Sequence, residues 1–166
     1  QINDLDLRNL RRCCTSLENG DEIQACILLE TDLAATDIPL YLQYIAAFTL
    51  GNLRAGWPFN DYNTALIHFN TAHTAALKIP ALDRASLALA MAGECYGYLQ
   101  KWDLATENLQ KALDLAKQSE NQLATMKCQI RLGRICRLQG KLDEARTLFE
   151  AKLPNELSNQ TQIRMQ

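Results

Sequence analysis

Apolar residues recur along this chain at the three-and-four spacing that lines one face of an α-helix, in eight blocks separated by short polar breaks. The blocks predict helices over 4–17 and 21–35, 39–55 and 60–75, 82–99 and 102–117, 122–138 and 142–153. The breaks carry the punctuation that ends helices. Asn19-Gly20 and Gly140 mark tight turns, and Pro80 and Pro154 follow predicted helix ends. Asp37 is placed to cap the third helix, with Pro39 in its first turn, where a missing N–H costs little. Four prolines and seven glycines in 166 residues suit long helices with short turns better than many short strands.

The helical pattern repeats. Ala25, Ala65, Ala105 and Ala145 stand forty residues apart, and four residues after each comes a large apolar side chain: Leu29, Phe69, Leu109 and Phe149. Tyr62, Trp102 and Leu142 precede the last three alanines by three residues. A second register runs ahead of these, with Gly51, Gly93 and Gly133 inside apolar helical patterns and Cys13 in that place in the first unit. A small residue in mid-helix lets a neighbour come close, and a large one fills the space beside it. Glycine in a helix interior costs up to about 1 kcal/mol relative to alanine, so three at matched positions imply that packing offsets the cost. A helix pair cannot bury its apolar face alone and stacks on the next pair.

The stretches Gly93-Glu94-Cys95-Tyr96…Trp102…Ala105…Leu109…Ala112 and Gly133…Gly140…Leu142…Ala145…Phe149 resemble tetratricopeptide repeats. Gly51…Tyr62…Ala65…Phe69…Ala72 fits as well, with two extra residues in its turn at Gly56-Trp57-Pro58-Phe59, and the first unit matches only at Gly20, Ala25 and Leu29. The forty-residue period is longer than the family's usual repeat of about 34, and is similar to the long repeats of kinesin light chains and MalT-type activators. The resemblance implies an all-α fold: a right-handed α-solenoid of about four antiparallel helix pairs, one domain over 1–166. Its repeats would lie at about 4–35, 39–78, 81–119 and 121–153. Residues 154–166 would form a tail or the start of a next element. It also implies a concave groove, lined by the first helix of each pair, that binds a peptide or helix; the fold alone does not fix the ligand.

Charge is what narrows the search for a ligand. Net charge is −2 and pI about 5.7, which argues against direct nucleic-acid binding. The distribution is uneven. Between Cys13 and Leu53 there are six acids (Glu18, Asp21, Glu22, Glu30, Asp32, Asp37) and no base. Between Asn121 and Leu142 there are five bases (Lys127, Arg131, Arg134, Arg137, Lys141) and no acid. Lys127, Arg131 and Arg134 share one helix face, and nothing within that helix compensates their repulsion. Two readings follow. Either the bases form a docking stripe for an acidic or C-terminal carboxylate segment, since the arginine fork pairs bidentately with carboxylates, or they are solvated or paired with acids of a neighbouring helix such as Asp103, Glu107 and Asp114. Tetratricopeptide domains that clamp a C-terminal carboxylate use Lys, Asn and Arg in the groove. Asn52, Lys127 and Arg131 match three of those places, whereas Phe48 and Met91 occupy the other two and cannot do that work. The middle of the implied groove is apolar and small (Ile45, Phe48, Leu87, Ala90, Met91, Gly97, with Glu94 and Tyr98), which suits an amphipathic helix or a wrapped apolar peptide, or simply packing between repeats. The Trp57-Pro58-Phe59 loop either offers aromatics to a partner or plugs the end of the core.

Six cysteines without a C-x-x-C pair, mostly at apolar helical positions, read as reduced core thiols, hence a cytoplasmic protein. No apolar run approaches the roughly 18 residues of a membrane span, and the residues show no signal-peptide pattern. No phosphate-binding glycine loop, H-E-x-x-H or G-x-S-x-G is present, and His68 and His73, five apart, are wrongly spaced for two ligands on one helix face. The expectation is a protein–protein interaction module without catalytic activity, metal or cofactor, and without a nucleic acid or membrane as partner. Its partner-binding candidates are Lys127, Arg131, Arg134, Arg137, Asn52, Phe48, Met91, Glu94 and Tyr98. The alternative is a sensor or oligomerisation domain of a larger regulator, such as a signalling ATPase or transcription activator, which a chain starting at Gln1 suits. In one variant the acidic first repeat docks on the basic last repeat of another copy.

Overall fold

The computed structural model describes residues 8–34 and 38–150. Among them are eight helices and no strand: α1 (Arg8–Glu18), α2 (Glu22–Ala34), α3 (Leu40–Ala55), α4 (Tyr62–Lys78), α5 (Leu82–Tyr98), α6 (Trp102–Gln118), α7 (Gln122–Leu138) and α8 (Leu142–Glu150). Among the described residues the periodicity places these elements to within a few residues, with α4 running on to Lys78, while the expected helical stretches 4–7, 35 and 151–153 lie outside the described residues. Asp37 lies outside the described residues. Pro39 stands just before α3 and gives it no side-chain cap, although its carbonyl accepts from the Gln43 N–H. Asp21, Asp61 and Asn121 do cap their helices, accepting from the backbone N–H of Gln24, Thr64 and Ala124.

The helices form four antiparallel pairs stacked in chain order as an all-α solenoid, each helix packing on the next and α5 reaching α7 as well. Within the pairs, the small-then-large pattern makes the joint. A Cβ placed on Gly51 would lie 2.7 Å from the Phe69 ring, one on Gly93 2.8 Å from Leu109 Cγ, and one on Gly133 2.7 Å from the Phe149 ring. The first helix of each of these pairs therefore lies against the second with only hydrogen between backbone and side chain. In the first pair Cys13 takes the glycine's place and packs in one cluster with Ala25 and Leu29. The turns inside the pairs repeat too: Gly20, Asn60, Gln100 and Gly140, forty residues apart, all have positive φ.

The longer turn of the second pair behaves differently at its two aromatics. Phe59 packs against the cluster of Leu29, Leu50 and Cys13, with the Arg54 guanidinium 5.3 Å from its ring centre. Trp57 is 83% exposed, so it does not plug the core. All six cysteines are free, and five are buried. No described helix is long and apolar enough to cross a membrane.

Candidate binding site between α5 and α7

Helix α7 starts at its Asn121 cap and buries Ala124, Cys128, Leu132, Gly133, Ile135 and Cys136. That apolar face fixes the rotation of the helix, and with it the direction of the face carrying Lys127, Arg131, Arg134 and Arg137. Part of this face meets α5. Glu94 is buried there, and each of its carboxylate oxygens takes one arginine: Oε2 lies 3.2 Å from Arg131 Nε, and Oε1 lies 3.1 Å from Arg134 Nη1. Arg131 also donates from Nε (3.1 Å) and Nη2 (2.8 Å) to the Met91 sulfur.

Both partners follow from the repeat length. Met91 and Arg131, and Glu94 and Arg134, stand forty residues apart, so one period carries a position on α5 to its neighbour on α7. The same spacing was visible in the sequence, and applying it to Glu94 lands on Arg134. The expected alternative partners on α6 are engaged otherwise. Glu107 pairs with Lys111 on its own helix at 2.7 Å, and Asp114 accepts from Gln110. Asp103, Glu107 and Asp114 are all exposed on α6, and none of them pairs with α7 among the described ion pairs.

Beside this ion-paired group a cavity of about 450 Å³ opens, lined by Glu94, Tyr98, Arg134, Ile135, Arg137 and Leu138. Tyr98 forms its aromatic wall, stacked on Tyr62 of α4 with ring centres 4.8 Å apart. Its hydroxyl is pushed above the usual tyrosine value by burial and then by the nearby Glu94 charge, so it is a neutral donor at physiological pH. Tyr98 and Leu138 are each more than half exposed and present apolar surface to the opening. The side chain of Arg134 is 53% exposed, and Arg137 is exposed with no ion pair among the described residues. The site thus combines two accessible guanidiniums, one tyrosine hydroxyl and two apolar walls around one buried carboxylate. Such an arrangement can offer guanidinium donors to an anionic group and apolar surface beside them.

The other sequence candidates fall elsewhere. Lys127 is half-buried on α7, without an ion pair among the described residues, and does not line the cavity. Asn52 is exposed on α3. Phe48 is a core contributor, stacked on Tyr44 at 5.6 Å and edge-on to Phe69 at 5.8 Å. Ala90 and Gly97 are buried; Ala90 packs in the cluster shared by α6 and α7, and Gly97 faces Ile135. The middle of the implied groove is therefore largely filled by packing between repeats, while Glu94, Tyr98, Arg134 and Arg137 come together. Sequence reasoning missed Leu138 and Ile135 as lining residues and Tyr62 as the support of Tyr98.

Residues 83–151, which span almost all of α5 to α8, match the family model described as tetratricopeptide repeat. No curated protein matches the chain in sequence. Two solved structures are similar at 18% identity. MamA 41-end from Desulfovibrio magneticus RS-1 covers 95% of this chain and 98% of its own, with a TM-score of 0.38. The MamA RS-1 ArsTM double mutant covers 96% and 98%, with a TM-score of 0.37.

Proposed function

Starting from residues 83–151 as tetratricopeptide repeats, we propose that this chain is a protein-interaction module that takes an acidic peptide or helix of a partner protein at the α5–α7 cavity. The observation that carries the reading is the excess of cations on α7, two of which, Arg134 and Arg137, line the cavity. Helix α7 brings Lys127, Arg131, Arg134 and Arg137 and no acid, and the only ion-pair partner these find among the described residues is Glu94. Charge left uncompensated on a face that also offers Tyr98 and Leu138 favours a partner segment with carboxylates flanked by apolar side chains. Such a segment gains both charge-assisted hydrogen bonds and apolar burial. The glycine-jointed stack supports the reading by holding both walls on helices rather than loops. A stack of helix pairs is a scaffold type of fold, and the reading needs no catalytic group.

The test uses a helical peptide, blocked at both ends, carrying glutamate and leucine on one face, titrated into wild type and into Arg134→Glu/Arg137→Glu. Binding to wild type that weakens with salt, and falls by about tenfold or more in the charge-reversed protein, is the expected result. Equal binding to both proteins would move the site away from α7.

A further inference from the structure

We propose, on the reading that the α5–α7 cavity takes acidic segments, that Glu94 is a built-in competitor for the partner's carboxylate. It divides the basic face into a structural arginine, Arg131, and a ligand-binding pair, Arg134 and Arg137. The division follows from what each guanidinium has left to donate. Arg131 is only 22% exposed and has Nε and Nη2 engaged by Glu94 and Met91. It does not line the cavity. Arg134 gives a single nitrogen, Nη1, to Glu94, so Nε and Nη2 remain for another acceptor, and its side chain is half in solvent. Arg137 is exposed and lines the same cavity without an ion pair among the described residues.

Glu94 is itself a lining residue. A carboxylate entering the cavity therefore meets two guanidiniums with free donors and one like charge that already holds part of Arg134. The internal acid lowers the attraction for acidic ligands in general. It leaves a preference for segments that also fill the apolar side of the cavity against Tyr98 and Leu138, because charge alone is partly cancelled. Glu94 is in this sense a specificity-determining residue: removing its charge makes the site tighter and less selective.

Glu94→Gln keeps the side chain's shape and one acceptor oxygen for Arg131. Two probes are titrated, the blocked glutamate–leucine helical peptide and a blocked tetraglutamate, with thermal unfolding of each variant alongside. The expected result is a gain of several-fold in affinity in Glu94→Gln, larger for tetraglutamate than for the helical peptide. Arg134→Gln and Arg137→Gln lose most of the affinity with little change in unfolding temperature. Arg131→Gln lowers the unfolding temperature most and affinity least. This ordering of the three arginines tests the division even if Glu94→Gln is too unstable to titrate. If Arg134→Gln and Arg137→Gln weaken binding while Glu94→Gln binds both probes as wild type does, Glu94 is structural only; the competitor role is overturned and the cavity reading stands. If Arg131→Gln loses affinity as much as Arg134→Gln at unchanged unfolding temperature, the division is overturned. If the wild type binds neither probe, the cavity reading itself fails.

Discussion

Gly93 and Glu94 are adjacent in the chain and serve two different joints. Gly93 faces α6 and lets Leu109 come against bare backbone; Glu94 faces α7 and holds Arg131 and Arg134. The first joint recurs, with Gly51 on Phe69 and Gly133 on Phe149, because any helix pair in the stack needs it. The second, one carboxylate shared by two arginines, is found only between α5 and α7 among the described ion pairs, the other pair between helices being Arg54 of α3 with Glu30 of α2. Positions that repeat hold each helix pair together, and Glu94, which departs from the repeat, ties α5 to α7.

The sharpest break in this contrast comes from the apolar joint. Phe69→Ala is expected to cost about 3–5 kcal/mol in urea unfolding, since a fully buried ring leaves a cavity between α3 and α4. Gly51→Ala gains helix propensity yet is expected to lose about 1–3 kcal/mol, because its Cβ would press on the same ring. Combining it with Phe69→Leu should cost less than the two changes summed; simple additivity would mean that the pair is not in tight contact. Next in size is Glu94→Ala. It strips Arg131 of its carboxylate at a partly buried position, and a loss of about 1–3 kcal/mol is expected, with peptide binding tightened as in Glu94→Gln.

A third test reaches a polar group inside the second pair. His68 has a buried Nε2 without a hydrogen-bond partner among the described residues, and burial lowers its pKa below the ordinary value. Below the ordinary histidine value the unfolded chain then binds more protons than the folded one. Stability contributed by the neutral ring is present above about pH 6.5 and declines as pH falls further. The urea midpoint should drop on acidification from neutral pH, and the drop should shrink in His68→Gln. The smallest effect belongs to the solvated face of α6. Lys111→Ala removes an exposed pair with Glu107 and should leave the unfolding midpoint within experimental error.

These sizes mirror what the sequence made legible. The eight helices and the glycine-to-aromatic joints could be read in advance because periodicity and residue volume are local quantities that the chain displays directly. The partner of the basic stripe could not be read with the same ease. Asp103, Glu107 and Asp114 all lie nearer to the stripe in sequence than Glu94 does, and only the fold shows that the arginines take Glu94 instead. Glu94 carried a usable signal, its forty-residue offset from Arg134, but that offset has meaning only once the stacking order is known. Trp57 is the opposite case: an apolar side chain in a turn gives no hint whether it packs, as Phe59 does, or stays in solvent.

The buried cysteines give the stack a set of internal clocks. Cys13 and Cys26 lie in the first pair, Cys95 in the third, and Cys128 and Cys136 in the fourth, while Cys14 is exposed. Cys95 is 2% exposed, so an alkylating reagent reaches it only when its pair opens, and burial also pushes its thiol up to about 12. Cys14 should react at once. The others should follow in the order in which their pairs fray, so that timed labelling read by mass would map the cooperativity of the repeat array without a single introduced probe.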